Sequence, residues 1–228
     1  MNILSFRQLG HLRAAKWSAS LLGCATAMFL GACSSAPAHY HSLTPIHQTI
    51  GPPPQSDSGT IACTPDATGP NAPEREPIGT VLLTHLAVPV EADRMQLLLH
   101  QTPTRLSVYE TERWAAPLGD QISFILIDNL RNALPDLNIT SDPLLVGRGT
   151  PLQLNMDIEE LDALAGKEAI VRARWRWSVA DKAASQTGIC TARQPLRSTG
   201  IDELVLAWSR ALADISSALA ASIQQNRR

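Results

Sequence analysis

Residues 152–159 read Leu-Gln-Leu-Asn-Met-Asp-Ile-Glu, and residues 171–179 read Val-Arg-Ala-Arg-Trp-Arg-Trp-Ser-Val. Apolar and polar side chains alternate in both stretches, which predicts two half-buried β-strands, each with one wet face. Asp162 to Lys167 form the short connection between them, so we expect an antiparallel hairpin. The apolar face of such a hairpin has to pack against other elements, and the rest of the fold must supply them.

Two amphipathic helices are predicted to cover that apolar face. Between Leu118 and Leu134 the apolar residues recur at spacings of three and four, and Pro135 cannot continue the helix. A longer stripe runs from about Gly200 to Gln225. Two helices against a mixed, mostly antiparallel sheet make an α+β domain.

Shorter apolar runs predict the remaining strands. Thr80 to Val90 is apolar on both faces, which favours a central strand covered from both sides, although periodicity alone leaves a helix open. The other predicted strands are Gln96–His100, Arg105–Tyr109, Leu137–Thr140 and an edge strand at Gln186–Arg193.

The chain begins with a basic region and a short apolar run, Ser18 to Leu30, followed by Gly31, Ala32 and Cys33. The run is too short to span a bilayer, and small residues before a cysteine are typical of a lipoprotein signal peptide. We therefore predict a signal peptide over residues 1–32, cleavage between Ala32 and Cys33, and acylation of Cys33. An uncleaved membrane anchor is the alternative.

Removal of residues 1–32 changes the charge of the chain. That segment holds three of the 19 Lys and Arg residues and no acid, so the mature chain carries 16 basic and 21 acidic residues, formally −5. This balance gives no basis for a polybasic nucleic-acid surface. Ser34 follows the cysteine, and no Asp stands there, which favours sorting to the outer membrane.

Half of the 16 prolines lie between Thr44 and Gly79, together with Gly, Ser, Thr and Asn. Such a composition buries too little apolar surface to offset the entropy of ordering. We predict a lipidated N-terminus and proline-rich tether over residues 33–78, docked in part by Ile61 and Cys63. The folded domain is predicted over residues 79–228.

Two cysteines remain after cleavage and acylation, Cys63 and Cys190. Because the periplasm is oxidising, a disulfide between them is one hypothesis. The other is that both are unpaired thiols that pack in the fold.

Two groups of residues are candidate partner-binding sites. Trp114 lies beside Glu112 and Arg113 and either anchors an interface or packs under the first helix, the interpretation that we favour. A second candidate is a ladder of arginines on one sheet face, which meets lipid phosphates or an acidic partner, or is a solvated face opposite Asp157 and Glu159. The ladder consists of Arg172, Arg174 and Arg176.

No catalytic or cofactor-binding motif is present in the sequence. His39, His41 and His47 invite a metal site, but they lie in the predicted tether with no carboxylate close in sequence, and a metal needs convergent ligands. We therefore expect no metal, no cofactor and no enzyme activity. An envelope hydrolase has no support in the sequence.

Several motifs together resemble a known family. They are residues 39–45 (His-Tyr-His-Ser-Leu-Thr-Pro), residues 88–97 with Asp93-Arg94 after Pro89, residues 110–118 with Trp114-Ala115-Ala116-Pro117-Leu118, and the final helix. The stretch from Cys33 to Arg228 resembles the ABC-type transport auxiliary lipoproteins, and the most specific motifs lie between Val88 and Leu130.

This resemblance implies a non-enzymatic component of a lipid-trafficking system beneath the outer membrane. It implies that the partners are a mammalian-cell-entry (MCE) domain protein and an ABC transporter, that the fold is like the N-terminal domain of TolB, and that a homo-oligomer can form. The alternative function is a periplasmic lipid carrier with an apolar cavity between sheet and helices. The side chains that would line it are Met156, Trp175, Trp177 and Trp208.

Overall fold

The structure is a computed structural model, and the ranges it describes begin at residue 36. They are residues 36–46, 60–65, 79–102, 104–147, 149–164, 167–179 and 185–227. Within these ranges, residues 38–227 belong to one compact unit.

Nine strands and two α-helices make up the described part of the chain. The strands are β1 His39–His41, β2 Thr60–Pro65, β3 Thr80–Ala87, β4 Gln96–Thr102, β5 Arg105–Trp114, β6 Asn138–Thr140, β7 Leu152–Leu164, β8 Glu168–Val179 and β9 Ser185–Pro195. The helices are α1 Leu118–Ala133 and α2 Ile201–Arg227, and a 3-10 turn spans Pro143–Leu145. Two sheets, mostly antiparallel, with two helices confirm the predicted α+β class.

The larger sheet has six strands in the order β2-β9-β8-β7-β3-β6. Its centre is the predicted hairpin, with Leu154 opposite Trp177 and Met156 opposite Trp175. On β8 the buried side chains alternate with exposed arginines, as the sequence pattern requires. β3 runs parallel to both β7 and β6, which makes the sheet mixed.

Both helices pack on the apolar face of this sheet. α1 begins after Pro117 and ends just before Pro135, so prolines limit it at both ends. α2 is long and apolar enough to cross a membrane, but 67% of its most apolar window is buried inside the protein. It is therefore the core helix of this domain.

β9 is not the edge strand that the sequence predicts. β2 covers it, pairing antiparallel from Thr60 opposite Arg193 to Pro65 opposite Gly188. The sequence pattern does not predict β2, because this strand is short and lies in a proline-rich stretch, where composition predicts irregular structure.

The smaller sheet has the order β1-β5-β4. β4 and β5 form an antiparallel hairpin, and its pairing is irregular between Gln96 and Leu97. β1 adds to the free side of β5 in parallel, with His39 opposite Glu112 and His41 opposite Trp114.

Candidate functional site

The most distinctive arrangement lies at the start of the described chain. Residues 38–44, predicted as tether, are docked on the domain. We call this docked segment, together with Glu112, Gln121 and Ser209 that hold it, the N-terminal clamp. Its backbone continues the sheet, since β1 pairs with β5 and the Ala115 amide donates to the His41 carbonyl at 2.8 Å.

One buried side chain and two backbone hydrogen bonds fix the end of the clamp. Leu43 is 5% exposed and belongs to the core. Its amide donates to Gln121 Oε1 on α1 at 2.9 Å, and the amide of Thr44 donates to Ser209 Oγ on α2 at 3.1 Å. Gln121 is held in turn by donating to the Ala116 carbonyl at 2.7 Å. Both helices therefore bind the segment.

A cluster of imidazoles and carboxylates holds the beginning of the clamp. His39 and His41 lie two residues apart on β1, and both reach Glu112 on β5. The distances are 3.0 Å from His39 Nδ1 to Oε1 and 2.5 Å from His41 Nε2 to Oε2. The other nitrogen of His41 lies 3.2 Å from Asp202 Oδ1 at the start of α2.

These contacts change the titration of the cluster. The hydrogen bond to Glu112, and then the charge of that carboxylate, raises the pKa of His39 above its ordinary value of 6.5. The hydrogen bonds from His39 and His41 lower the pKa of Glu112 below its ordinary value of 4.5. Both pKa shifts favour the ion pair of protonated His39 and ionised Glu112 while the segment is docked.

The cluster lines an open depression of about 560 Å³, which also involves Tyr40 and Ile201. No carboxylate lies close to His39 and His41 in the sequence; the fold supplies that of Glu112, from a strand about 70 residues away. Among the residues that the structure describes, no group of three or more His, Cys, Asp or Glu side chains is arranged to hold a metal ion. His47 lies outside the described residues.

Trp114 ends β5 beside the clamp. It is 2% exposed and packs against Trp208 of α2, with the ring centroids 5.9 Å apart and the planes at 41°. The indole N–H of Trp208 donates to the Asp162 carbonyl at 2.9 Å. The Trp114 ring therefore lies inside the core, where it ties the smaller sheet to α2.

The arginine ladder lies on the exposed face of β8. Arg172 and Arg174 share Glu159, at 3.0 and 2.7 Å. Arg176 stands opposite Asn155 rather than an acid. Glu159 therefore partly neutralises the positive charge of the ladder at two of its three positions, Arg172 and Arg174.

The two predicted partner cysteines occupy opposite positions on neighbouring antiparallel strands. Cys63 of β2 is the register partner of Cys190 of β9, whose side chain is 1% exposed. Ala32 and Cys33 lie outside the described residues.

Sequence reasoning missed Glu112 as the centre of a site. One signal was present, because His39, His41 and Leu43 alternate at the spacing of a strand. The partner strand follows about 70 residues later, and no local pattern links the two.

The fold is shared with proteins of known structure. A crystal structure of an uncharacterized protein is 18% identical over 66% of this chain and 96% of its own, with a TM-score of 0.59. Protein XCC0632 from Xanthomonas campestris, of family DUF330, is 17% identical over 69% of this chain and 92% of its own, with a TM-score of 0.53. A third, the PelC dodecamer from Paraburkholderia phytofirmans, is 16% identical over 72% of this chain and 99% of its own, but its TM-score of 0.40 carries no argument.

The first two likenesses place the chain in one fold class, a small α+β domain with a mixed sheet and two helices on one face. The sequence profile described as "ABC-type transport auxiliary lipoprotein component" matches residues 62–220. The chain belongs to this family, and the resemblance drawn from its motifs is confirmed. Among curated protein sequences, none matches the chain.

Proposed function

We propose that this chain is a non-enzymatic adaptor, anchored by an acylated Cys33 to the periplasmic face of the outer membrane. There it connects that membrane to an MCE-type lipid-transport assembly driven by an ABC transporter. Membership in a family of transport auxiliary lipoproteins supports the general role. In this proposal the domain supplies positioning rather than turnover.

The observation that carries the proposal is the N-terminal clamp. The chain is attached to the domain at His39, only six residues after Cys33. Six residues reach at most about 20 Å. Without the clamp, the first attachment would be β2 at Thr60, and the 27 residues 33–59 would span roughly 26–31 Å root-mean-square. The clamp therefore leaves only a short connection between Cys33 and the domain, and an acylated Cys33 would hold the domain close to its membrane.

A disulfide between Cys63 and Cys190 belongs to the same proposal. Directly opposed residues of an antiparallel pair lie about 4.5–5.5 Å apart at Cα, within the range that a disulfide bridges. The bridge would fix β2 to the domain despite the proline-rich segments on either side. An exported protein would form it in the oxidising periplasm.

A carrier function is the second candidate, and one observation bears on it. The indole N–H groups of Trp175 and Trp177 are buried without a hydrogen-bond partner among the described residues. Buried indoles usually have a hydrogen-bond partner, and a polar ligand group bound between the sheet and α2 would supply one. Both rings pack within the core cluster itself, which favours the adaptor.

The adaptor is tested by crosslinking in the native envelope. A photoreactive amino acid at Arg176 on the exposed face of β8 should capture an MCE-domain protein, identified by mass spectrometry. The matched control carries the same probe at Leu206, an exposed position of α2. Capture at neither position, from an envelope that contains the MCE protein, contradicts the adaptor. Phospholipid co-purifying in fixed stoichiometry supports the carrier instead.

A further inference from the structure

A depression of about 500 Å³ opens where the smaller sheet meets the start of α2. Its lining includes three buried core residues, Leu99 of β4, Ala163 of β7 and Leu204 of α2. It also includes three partly buried apolar side chains that pack against the core, those of Tyr109, Leu196 and Ile201. The volume and the largely apolar lining are typical of a binding site.

One imidazole at this depression is held in a fixed orientation. The Nδ1 atom of His100 lies 2.5 Å from Asp162 Oδ2. The other carboxylate oxygen, Oδ1, accepts from the backbone amides of His100 at 3.2 Å and Ala163 at 2.8 Å. Because both oxygens of Asp162 are occupied, the carboxylate orients the ring and keeps a proton on Nδ1.

The second nitrogen of His100, Nε2, is the hydrogen-bond acceptor that this depression offers. With the proton on Nδ1, the neutral imidazole carries its lone pair at Nε2. Among the residues that the structure describes, none hydrogen-bonds Nε2, and the His100 side chain is 38% exposed. A ligand that reaches this nitrogen therefore needs an O–H or N–H donor.

The lining favours a neutral group over a phosphate. Phosphates are bound best by Arg, Lys or several converging N–H donors. Of the described residues that line the depression, none is Arg or Lys, and the carboxylate of Asp162 stands against the imidazole. Apolar side chains around one neutral acceptor match an apolar group that carries one donor. A tyrosine side chain has this chemistry, with a ring for the apolar lining and a phenolic O–H for Nε2.

Two exposed polar residues beside the apolar lining suit a peptide. Gln101 and Thr199 both border the depression. Gln101 Nε2 donates to the Tyr109 hydroxyl at 3.1 Å, which leaves its side-chain carbonyl as an acceptor. An amide and a hydroxyl beside an apolar centre can pair with a peptide backbone, as the polar rim of a protein interface does.

We propose that this depression binds a tyrosine side chain of a partner protein, with the phenol donating its hydrogen bond to His100 Nε2. This inference rests on the proposed adaptor function, because it takes the occupant to be a segment of a protein partner. His100 determines the specificity for tyrosine over phenylalanine. Asp162 is a positioning residue that acts through His100.

The test compares two probes that differ by one hydroxyl group, N-acetyl-tyrosinamide and N-acetyl-phenylalaninamide. The full-length protein is matured in a bacterial envelope and embedded in lipid nanodiscs. Ligand-observed NMR titrations give the dissociation constant of each probe, and nanodiscs without protein give the background. Thermal melts establish that each variant is folded.

Three variants assign the binding to this depression. His100→Asn keeps a side-chain donor for Asp162 but has no acceptor in place of Nε2. Leu196→Gln removes part of the apolar lining. Leu145→Gln is the matched control, because Leu145 is an exposed apolar residue at a different depression, which Asp120 and Asp142 line.

The unsubstituted protein should bind the tyrosine probe about three- to tenfold more tightly than the phenylalanine probe, the ratio that one neutral hydrogen bond supplies. His100→Asn should abolish this ratio and leave the binding of the phenylalanine probe unchanged. Leu196→Gln should weaken the binding of both probes, and Leu145→Gln should change neither.

Equal dissociation constants for the two probes in the unsubstituted protein overturn the inference, as does a ratio that persists in His100→Asn. Soluble dihexanoylphosphatidylglycerol is added as a competitor. If it displaces the tyrosine probe below the probe's own dissociation constant, a lipid is the preferred occupant and the inference is wrong.

Crosslinking in the envelope separates this inference from the adaptor function. Capture of an MCE-domain protein without a preference for the tyrosine probe keeps the adaptor and contradicts the tyrosine site. A preference for the tyrosine probe that His100→Asn abolishes, without capture, keeps the site and contradicts the adaptor.

Discussion

The two sheets of this domain are built in different ways. The hairpin of β7 and β8 brings residues close in sequence together, buries large apolar side chains against α1 and α2, and exposes a charged face. The N-terminal clamp joins three residues of β1 to a strand about 70 residues away, with one buried leucine and a few polar contacts. The first region supplies stability, and the second holds residues 38–44 on the domain.

The largest effect is expected inside the larger sheet. Trp177→Ala should lower the free energy of unfolding by about 3–5 kcal/mol, because the ring is fully buried and its removal leaves a cavity. Urea denaturation measures it. Arg176→Ala, the preceding residue on the opposite face, should change it by less than about 0.5 kcal/mol. Equal effects would show that β8 does not alternate as described.

The attachment of β2 comes next. If the proposed Cys63–Cys190 disulfide is present, Cys63→Ser should lower the free energy of unfolding by about 2–4 kcal/mol under oxidising conditions, because a cross-link that closes a long loop is lost. In the presence of a reductant, the variant and the unsubstituted protein should unfold alike. A difference that persists in reductant would point to packing rather than to a disulfide.

The clamp should open without unfolding the rest of the molecule. Leu43→Ala removes its one strongly buried apolar side chain and should favour the open segment by about 2 kcal/mol. Limited proteolysis should then cut between residues 38 and 59 well before the domain. Ser42→Ala, at the exposed neighbouring position, is the control and should leave cleavage unchanged. Cleavage of the whole domain at the same rate would mean that the clamp is not a separate unit.

The clamp should also respond to pH. The raised pKa of His39 means that its contribution is complete below pH 6.5 and is lost as pH rises through the raised value. The lowered pKa of Glu112 means that its contribution is present above pH 4.5 and is lost as pH falls through the lowered value. Docking should therefore be strongest between pH 4.5 and 6.5.

Hydrogen exchange of the Ala115 amide, which donates to the His41 carbonyl, reports this docking after correction for intrinsic rates. Protection should decline towards pH 8, and Glu112→Gln should flatten the profile. Asp202 also faces His41 in this cluster. If protection of the Ala115 amide in the unsubstituted protein stays constant between pH 6.5 and 8, the cluster does not control docking.

The smallest effect on stability is expected at the arginine ladder. Replacing Arg172, Arg174 and Arg176 together with Gln should change the free energy of unfolding by less than about 1 kcal/mol, because exposed ion pairs contribute little. Capture of the proposed MCE partner by a chemical crosslinker in the envelope should fall. Arg193→Gln, which breaks an ion pair with Glu168 on the same sheet, serves as the control. If capture is unchanged, the arginine ladder is a solvated face that does not bind the partner.

Sequence reasoning succeeded where the pattern is local. The alternation around Trp175 and Trp177 predicts β8, and the spacing of apolar residues before Pro135 predicts α1. It failed where a strand is short and its partner distant. Nothing near His39 identifies Glu112 as its neighbour, and the prolines around Cys63 concealed a strand that covers β9. Such pairings depend on the rest of the fold being in place.

The separation between domain and membrane tests most directly the proposal that the clamp keeps the domain close to the bilayer. Neutron reflectometry of the acylated protein on a supported bilayer measures the solvent gap between the lipid surface and the protein layer. With residues 38–44 docked, the gap should stay below about 20 Å, the reach of six residues. A bound protein layer separated from the lipid by roughly 26–31 Å of solvent, the span of a free chain over residues 33–59, would contradict it.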